Sequence, residues 1–134
     1  MNTFDMSNVT GYDSYEHRTV LIVEDEFDNY LYAKAVLKKL KLKIIHAEGG
    51  KKALEICKNN PNIDLILMDI KMPEMSGFDI YDHIKNDSNC PPVIALTAYA
   101  QYSIQKMAID AGFSEFISKP YSKDELIPVV LKYI

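Results

Sequence analysis

Along this chain, short runs that are apolar at nearly every position alternate with longer segments that are apolar on one side only. The short runs cover residues 20–23 (Val20-Leu21-Ile22-Val23), 43–47, 64–68 with Leu65-Ile66-Leu67 at the centre, 93–96 (Val93-Ile94-Ala95-Leu96) and 115–118. Where such a run is apolar throughout, as at 20–23, 65–68 and 93–96, it suits a strand buried on both faces, as in a parallel sheet. Between them the period changes. Tyr30, Ala33, Leu37 and Leu40 share one side of a helix predicted over residues 27–40, and Ala53, Leu54 and Cys57 do so for a shorter one. Ile104, Met107, Ala108 and Ala111 fall at i, i+3, i+4 and i+7, with Gly112 following as a natural C-cap; Leu126, Val129, Val130 and Tyr133 repeat the spacing. Ser76 with Asp79 and Ser122 with Glu125 have the spacing of capping boxes. Pro128 falls inside the last helix, where it removes an N–H, so a distorted first turn or a kink is expected there.

Five alternations of strand and helix predict right-handed crossovers and an α/β fold with a doubly wound parallel sheet. Residues 1–18 have a different texture: polar, without a clean period, and with scattered aromatics in Phe4, Tyr12 and Tyr15. They are expected to be a tail or linker ahead of one domain spanning residues 19–134.

Composition narrows the function. The 134 residues suffice for one domain with a real core but not for two ordinary ones. Nineteen acidic residues against fifteen basic ones, with no basic run, leave no electrostatic footprint for nucleic acid, so no direct nucleic-acid binding is expected. No apolar run approaches the ~18 residues of a membrane span. The N-terminus lacks a basic region followed by an apolar stretch, so a cytoplasmic location without membrane contact is expected. Cys57 and Cys90 match no zinc or redox spacing and are expected to be reduced thiols.

The chemistry appears when each predicted strand is followed to its carboxyl end, the edge where open α/β sheets bind ligands. The first strand ends in Glu24-Asp25-Glu26, the third in Asp69, the fourth in Thr97, and the fifth in Lys119 before Pro120. With strand order 2-1-3-4-5, the first and third strands are neighbours and Glu24, Asp25 and Asp69 converge. Three carboxylates repel unless a cation neutralises them. With no His or Cys in the pattern, a hard, oxygen-preferring ion such as Mg²⁺ is the natural occupant. Lys119 adds an ammonium and Thr97 a hydroxyl, which completes the inventory of a phosphoryl-transfer site with a carboxylate nucleophile.

In the order and spacing of these stretches the chain resembles the receiver domains of response regulators in two-component signalling. The matching stretches run from Val20-Leu21-Ile22-Val23-Glu24-Asp25-Glu26 through Leu67-Met68-Asp69-Ile70-Lys71-Met72-Pro73 and Met75-Ser76-Gly77. They continue in Ala95-Leu96-Thr97-Ala98, Ala111-Gly112 and Phe116-Ile117-Ser118-Lys119-Pro120. The resemblance implies a flavodoxin-like, five-stranded parallel sheet of order 2-1-3-4-5 flanked by five helices. It implies that Asp69 accepts a phosphoryl group from a phosphohistidine donor, a histidine kinase or a histidine phosphotransfer domain. It further implies that Glu24, Asp25, Asp69 and the backbone carbonyl of Lys71 surround Mg²⁺, and that Thr97 and Phe116 switch with phosphorylation. A cis Lys119–Pro120 bond is expected on the same ground, as is a docking or homodimer surface formed by the fourth helix, fifth strand and fifth helix.

Departures from the commonest pattern are local. Glu24 stands where Asp is more usual and makes one metal contact a methylene longer. Lys71 and Tyr99, two residues after Asp69 and Thr97, occupy positions that influence dephosphorylation rate in the family. Phosphohydrolases of the haloacid dehalogenase type, which also use an aspartyl nucleophile, place a second Asp where this chain has Lys71. A nucleotide or flavin carrier would need a phosphate-cradling loop where this chain has Glu24-Asp25-Glu26. The reading is therefore a signalling domain that takes part in its own phosphorylation and slow dephosphorylation, rather than an enzyme acting on outside substrates. His17, His46 and His83 do not cluster and read as ordinary surface or core residues.

Overall fold

In the computed structural model, which describes residues 15–99 and 101–134, β1 (Thr19–Val23) leads into α1 (Phe27–Leu37), closed by a 3₁₀ turn over Lys38–Leu40. There follow β2 (Lys43–Ala47), α2 (Gly50–Asn59), β3 (Leu65–Asp69), α3 (Gly77–Ile84), β4 (Val93–Thr97), α4 (Tyr102–Ala111), β5 (Glu115–Ser118) and α5 (Lys123–Tyr133). The five strands form one sheet of order β2-β1-β3-β4-β5, and every pairing is parallel. The expected α/β architecture is therefore the observed one. Strands β3 and β4 are buried at all five positions, because helices cover the sheet on both sides.

Two separate apolar clusters result. Leu21, Val23, Ile66, Met68, Val93 and Ala95 point to one face and pack against Ala53 and Ile56 of α2, Ile80 and Ile84 of α3 and Ala108 of α4. Val20, Ile22, Leu65, Leu67, Ile94 and Leu96 point to the other and pack against α1 and α5 through Tyr30, Ala33, Leu37, Leu126, Ile127 and Val130. The alternation along each strand is what sorts the residues between faces.

Local details follow the sequence with instructive shifts. The predicted first helix tightens after Leu37 into the 3₁₀ turn, and Lys41 stops it with a left-handed φ of 56°. Leu40 remains fully buried. Asp64 sits just before β3, where its carboxylate accepts the Thr19 N–H at 2.8 Å and pairs with Arg18 at 3.3 Å. Tyr15 packs against the α1–α5 cluster, whereas Phe4 and Tyr12 lie outside the described residues. The box at α3 forms in both directions: Asp79 N–H donates to Ser76 Oγ, and Ser76 N–H to the Asp79 carboxylate. At α5, Glu125 accepts both the N–H and the hydroxyl of Ser122. Helix α5 runs unbroken from Lys123 to Tyr133 with Pro128 inside it; Pro128 is exposed, as is Asp124, the residue whose carbonyl Pro128 cannot serve.

Candidate functional site

The carboxyl ends of β1 and β3 bring Glu24, Asp25 and Asp69 together, with one carboxylate oxygen of each within 4.8 Å of the others. Glu24 and Asp69 are buried. Glu24 is held at every polar atom group. Its N–H donates to Ala47 O at 3.0 Å, its carbonyl meets His46 Nε2 at 2.8 Å, and its Oε2 accepts the Glu26 N–H at 3.2 Å. Its Oε1 takes the Lys119 ammonium at 2.6 Å. Asp69 lies farther from that ammonium, at 3.4 Å, and accepts the Lys71 N–H at 3.2 Å on its other oxygen. Glu24 thus holds Lys119 more closely than Asp69 does.

This crowding sets the electrostatics. Burial pushes the Asp69 carboxyl up to about 7, and the neighbouring Glu24 adds to the rise; the Lys119 ammonium and the Lys71 N–H pull the other way without cancelling it. Lys119 is raised above the ordinary lysine value: its burial opposes this, but the hydrogen bond to Glu24 and the charges of Asp69 and Glu24 outweigh it. Asp25 Oδ1 is buried with no hydrogen-bond partner. A buried, unpartnered carboxylate oxygen beside two more carboxylates fits a hard cation, which would satisfy all three at once.

Of the remaining predicted residues, Thr97 and Phe116 lie on the next strands of the sheet, β4 and β5. Thr97 is fully buried at the end of β4, and its Oγ1 accepts the Tyr99 N–H at 3.1 Å. The hydroxyl therefore keeps its own hydrogen to donate. Phe116 on β5 pairs with Ala95 and packs, partly buried, against the cluster under α2, α3 and α4. The Lys71 ammonium stands 4.6 Å from the centroid of the Tyr99 ring, a cation–π contact spanning the two variable positions. The Lys119–Pro120 bond is cis. Gly77, the first residue of α3, donates its N–H to Ile70 O at 2.8 Å and brings the helix against the end of β3.

His46 is the site neighbour that the sequence pattern missed. Its ring stacks on Tyr30 with centroids 3.8 Å apart and planes at 4°, and it meets a backbone carbonyl. No side-chain spacing along the chain encodes such a contact. Cys57 and Cys90 are free thiols beside a 530 Å³ cavity lined also by Ile63 and Pro91, at the amino ends of the strands and away from the acids. Burial pushes the Cys57 thiol up to about 11.

A parallel sheet of this order with an acidic pocket and a half-buried lysine at its carboxyl edge defines a receiver-type α/β domain. The profile described as the response regulator receiver domain matches residues 20–131, and the chain belongs to that family. It is 37% identical over 117 residues to the aerobic respiration control sensor protein ArcB of Escherichia coli, covering 85% of this chain and 15% of that protein. The chain spans less than half the length of the curated relatives it matches. Among solved structures it is similar to the receiver domain of a LuxO repressor protein from Vibrio parahaemolyticus (30% identity, TM-score 0.81, covering 87% of this chain and 88% of that one). It is also similar to the receiver domain of sensor histidine kinase PA1611 from Pseudomonas aeruginosa (27% identity, TM-score 0.78, covering 87% and 96%). That structure carries a magnesium ion in its active-site cleft.

Proposed function

We propose that this receiver domain takes a phosphoryl group onto Asp69 from the phosphohistidine of a histidine kinase or histidine phosphotransfer domain, and that it signals by changing conformation. The observation that carries the reading is the convergence of Asp69 with Glu24, Asp25 and Lys119, together with the unpartnered Asp25 Oδ1. An Asp69 carboxylate oxygen attacks phosphorus in line; the new O–P bond forms as the N–P bond of the donor breaks, and the imidazole leaves with its electron pair. Glu24, Asp25, Asp69 and the Lys71 carbonyl would hold Mg²⁺, which would offset the negative charge on the transferring oxygens. The Lys119 ammonium, beside Glu24 and Asp69, supplies further positive charge, and the Thr97 hydroxyl donates to a phosphoryl oxygen. Hydrolysis of the mixed anhydride resets the domain, and Phe116 follows Thr97 between the two states.

On helix α4 the exposed side chains of Tyr102 (79%), Met107 (53%) and Ile109 (52%) support docking of a target, or of a second copy, on the face of α4, β5 and α5. The reading includes neither nucleic acid nor membrane as a partner: the net charge is −4, and no helix among the described residues is long and apolar enough to cross a membrane. It places the domain at residues 19–134 of a cytoplasmic protein, with residues 1–18 as tail or linker.

Intact mass spectrometry after incubation with Mg²⁺ and a small acyl-phosphate donor tests the proposal. A single phosphoryl adduct that requires both Mg²⁺ and Asp69 is expected. An adduct that persists in Asp69→Asn, or that forms equally after chelation, refutes the assignment.

A further inference from the structure

His46 stands one strand away from the acidic cluster and is not itself a member of it. β1 and β2 run parallel with Ile22 opposite His46 and Val23 opposite Ala47. The bond from Glu24 N–H to Ala47 O lies at the end of that ladder. β2 stops at Ala47, so the Glu24 carbonyl has no further strand residue beside it. The His46 ring fills the place, with Nε2 at 2.8 Å from that oxygen. A carbonyl only accepts, so Nε2 carries the hydrogen and donates it. The ring lies flat on the buried Tyr30 ring, with Phe27 at 6.4 Å, and cannot swing away without unstacking.

The carbonyl so held belongs to the peptide joining Glu24 to Asp25. That unit is planar, so fixing its oxygen fixes the direction in which the chain enters Asp25. Asp25 has no comparable restraint on its buried Oδ1. Its aim toward the pocket therefore depends on the backbone before it.

We propose that His46 is a positioning residue for a divalent cation: its Nε2–H, donated to the Glu24 carbonyl, aims the Asp25 carboxylate at the ion. The inference rests on the metal-binding reading of the acidic cluster given above. Groups one shell out from ligands commonly change metal affinity by roughly 10–100-fold when removed. A histidine that merely filled space would need its stack on Tyr30 and not its hydrogen bond, and the two contributions can be separated.

The test uses the full chain and three variants, His46→Phe, His46→Gln and His46→Met. Mg²⁺ dissociation constants come from amide chemical-shift titration at fixed pH, and stability from urea unfolding of the same samples. Phe keeps an aromatic ring to stack on Tyr30 and removes the donor. Gln keeps a donor and loses the stack, and Met matches Gln in length with neither. The expected result is Mg²⁺ binding weakened about tenfold in His46→Phe and His46→Met, and largely restored in His46→Gln. Wild-type affinity in His46→Phe overturns the inference, as does equal weakening in the Gln and Met variants. If His46→Phe fails to fold, the Gln and Met pair reads the same donor. A wild-type chain that takes up no Mg²⁺ overturns the metal site itself, a failure distinct from the other two.

Discussion

Gly77 is where the packing of α3 and the placement of Asp69 become one problem. A Cβ added there would stand 2.5 Å from Asp69 O and 2.9 Å from Ile70 Cα, both backbone atoms that no rotamer change can move. Normal carbon–oxygen and carbon–carbon contacts are about 3.3 Å and about 3.7 Å, so Gly77→Ala must part α3 from β3 by about 0.8 Å. That movement stretches the 2.8 Å bond from Gly77 N–H to Ile70 O past its useful length. Overpacking of this kind costs about 2 kcal/mol, the lost bond adds about 1 kcal/mol, and the smaller entropy of unfolded Ala returns about 0.7 kcal/mol. The net expectation is about 2 kcal/mol of destabilisation in urea unfolding. Because the strained atoms belong to Asp69 and Ile70, Mg²⁺ affinity should fall as well. Gly49→Ala is the control: it has nothing within 4 Å and an extended φ of −175°, so it should stay within about 0.5 kcal/mol of wild type. Equal midpoints for Gly77→Ala and wild type, or equal losses for the two variants, would refute the reasoning.

Three further outcomes follow from the same geometry. Lys119→Met leaves Glu24 and Asp69 facing each other without their cation; it should destabilise the metal-free protein by about 3 kcal/mol in urea, with Mg²⁺ recovering part of the loss. Without divalent ions the folded chain holds a proton on Asp69 up to about 7, above the ordinary value of 3.8, and so binds more protons than the unfolded chain between those values. Stability should therefore fall as pH rises through that window, and the slope should shrink with Mg²⁺ or in Asp69→Asn; urea midpoints at pH 5 and pH 7.5 check this. On α4, Ile109→Ser removes an exposed apolar side chain and should shift the midpoint by less than about 0.5 kcal/mol, whereas Ala108→Leu overpacks a fully buried position and should cost about 2 kcal/mol.

The central strands could be read from the sequence because helices on both sides make nearly every position apolar, and no amphipathic alternative competes for Leu65–Met68 or Val93–Leu96. The site was readable for a related reason: parallel topology sends Glu24, Asp25, Asp69, Thr97 and Lys119 to one edge whatever the details of the loops. Helix α4 was harder. Ile104, Met107, Ala108 and Ala111 have the spacing of a core face, yet only Ala108 is buried. Periodicity finds an apolar stripe but cannot say whether another element covers it. The 3₁₀ turn after Leu37 was hidden because Leu40 stays buried in either geometry. His46 was hidden because its partner is a main-chain oxygen.

The division of the core into two clusters has a consequence for how the chain is made. The cluster on the α1 side draws on both ends of the domain, since Tyr30, Ala33 and Leu37 share it with Leu126, Ile127 and Val130. Synthesis proceeds from the amino end, so four strands and their helices can leave the ribosome while Ile94 and Leu96 still lack the α5 side chains that complete their cover. The other cluster can close earlier, because α2, α3 and α4 all precede β5. A nascent domain therefore carries an open apolar flank, a surface for chaperones or for misassociation, until its last helix arrives.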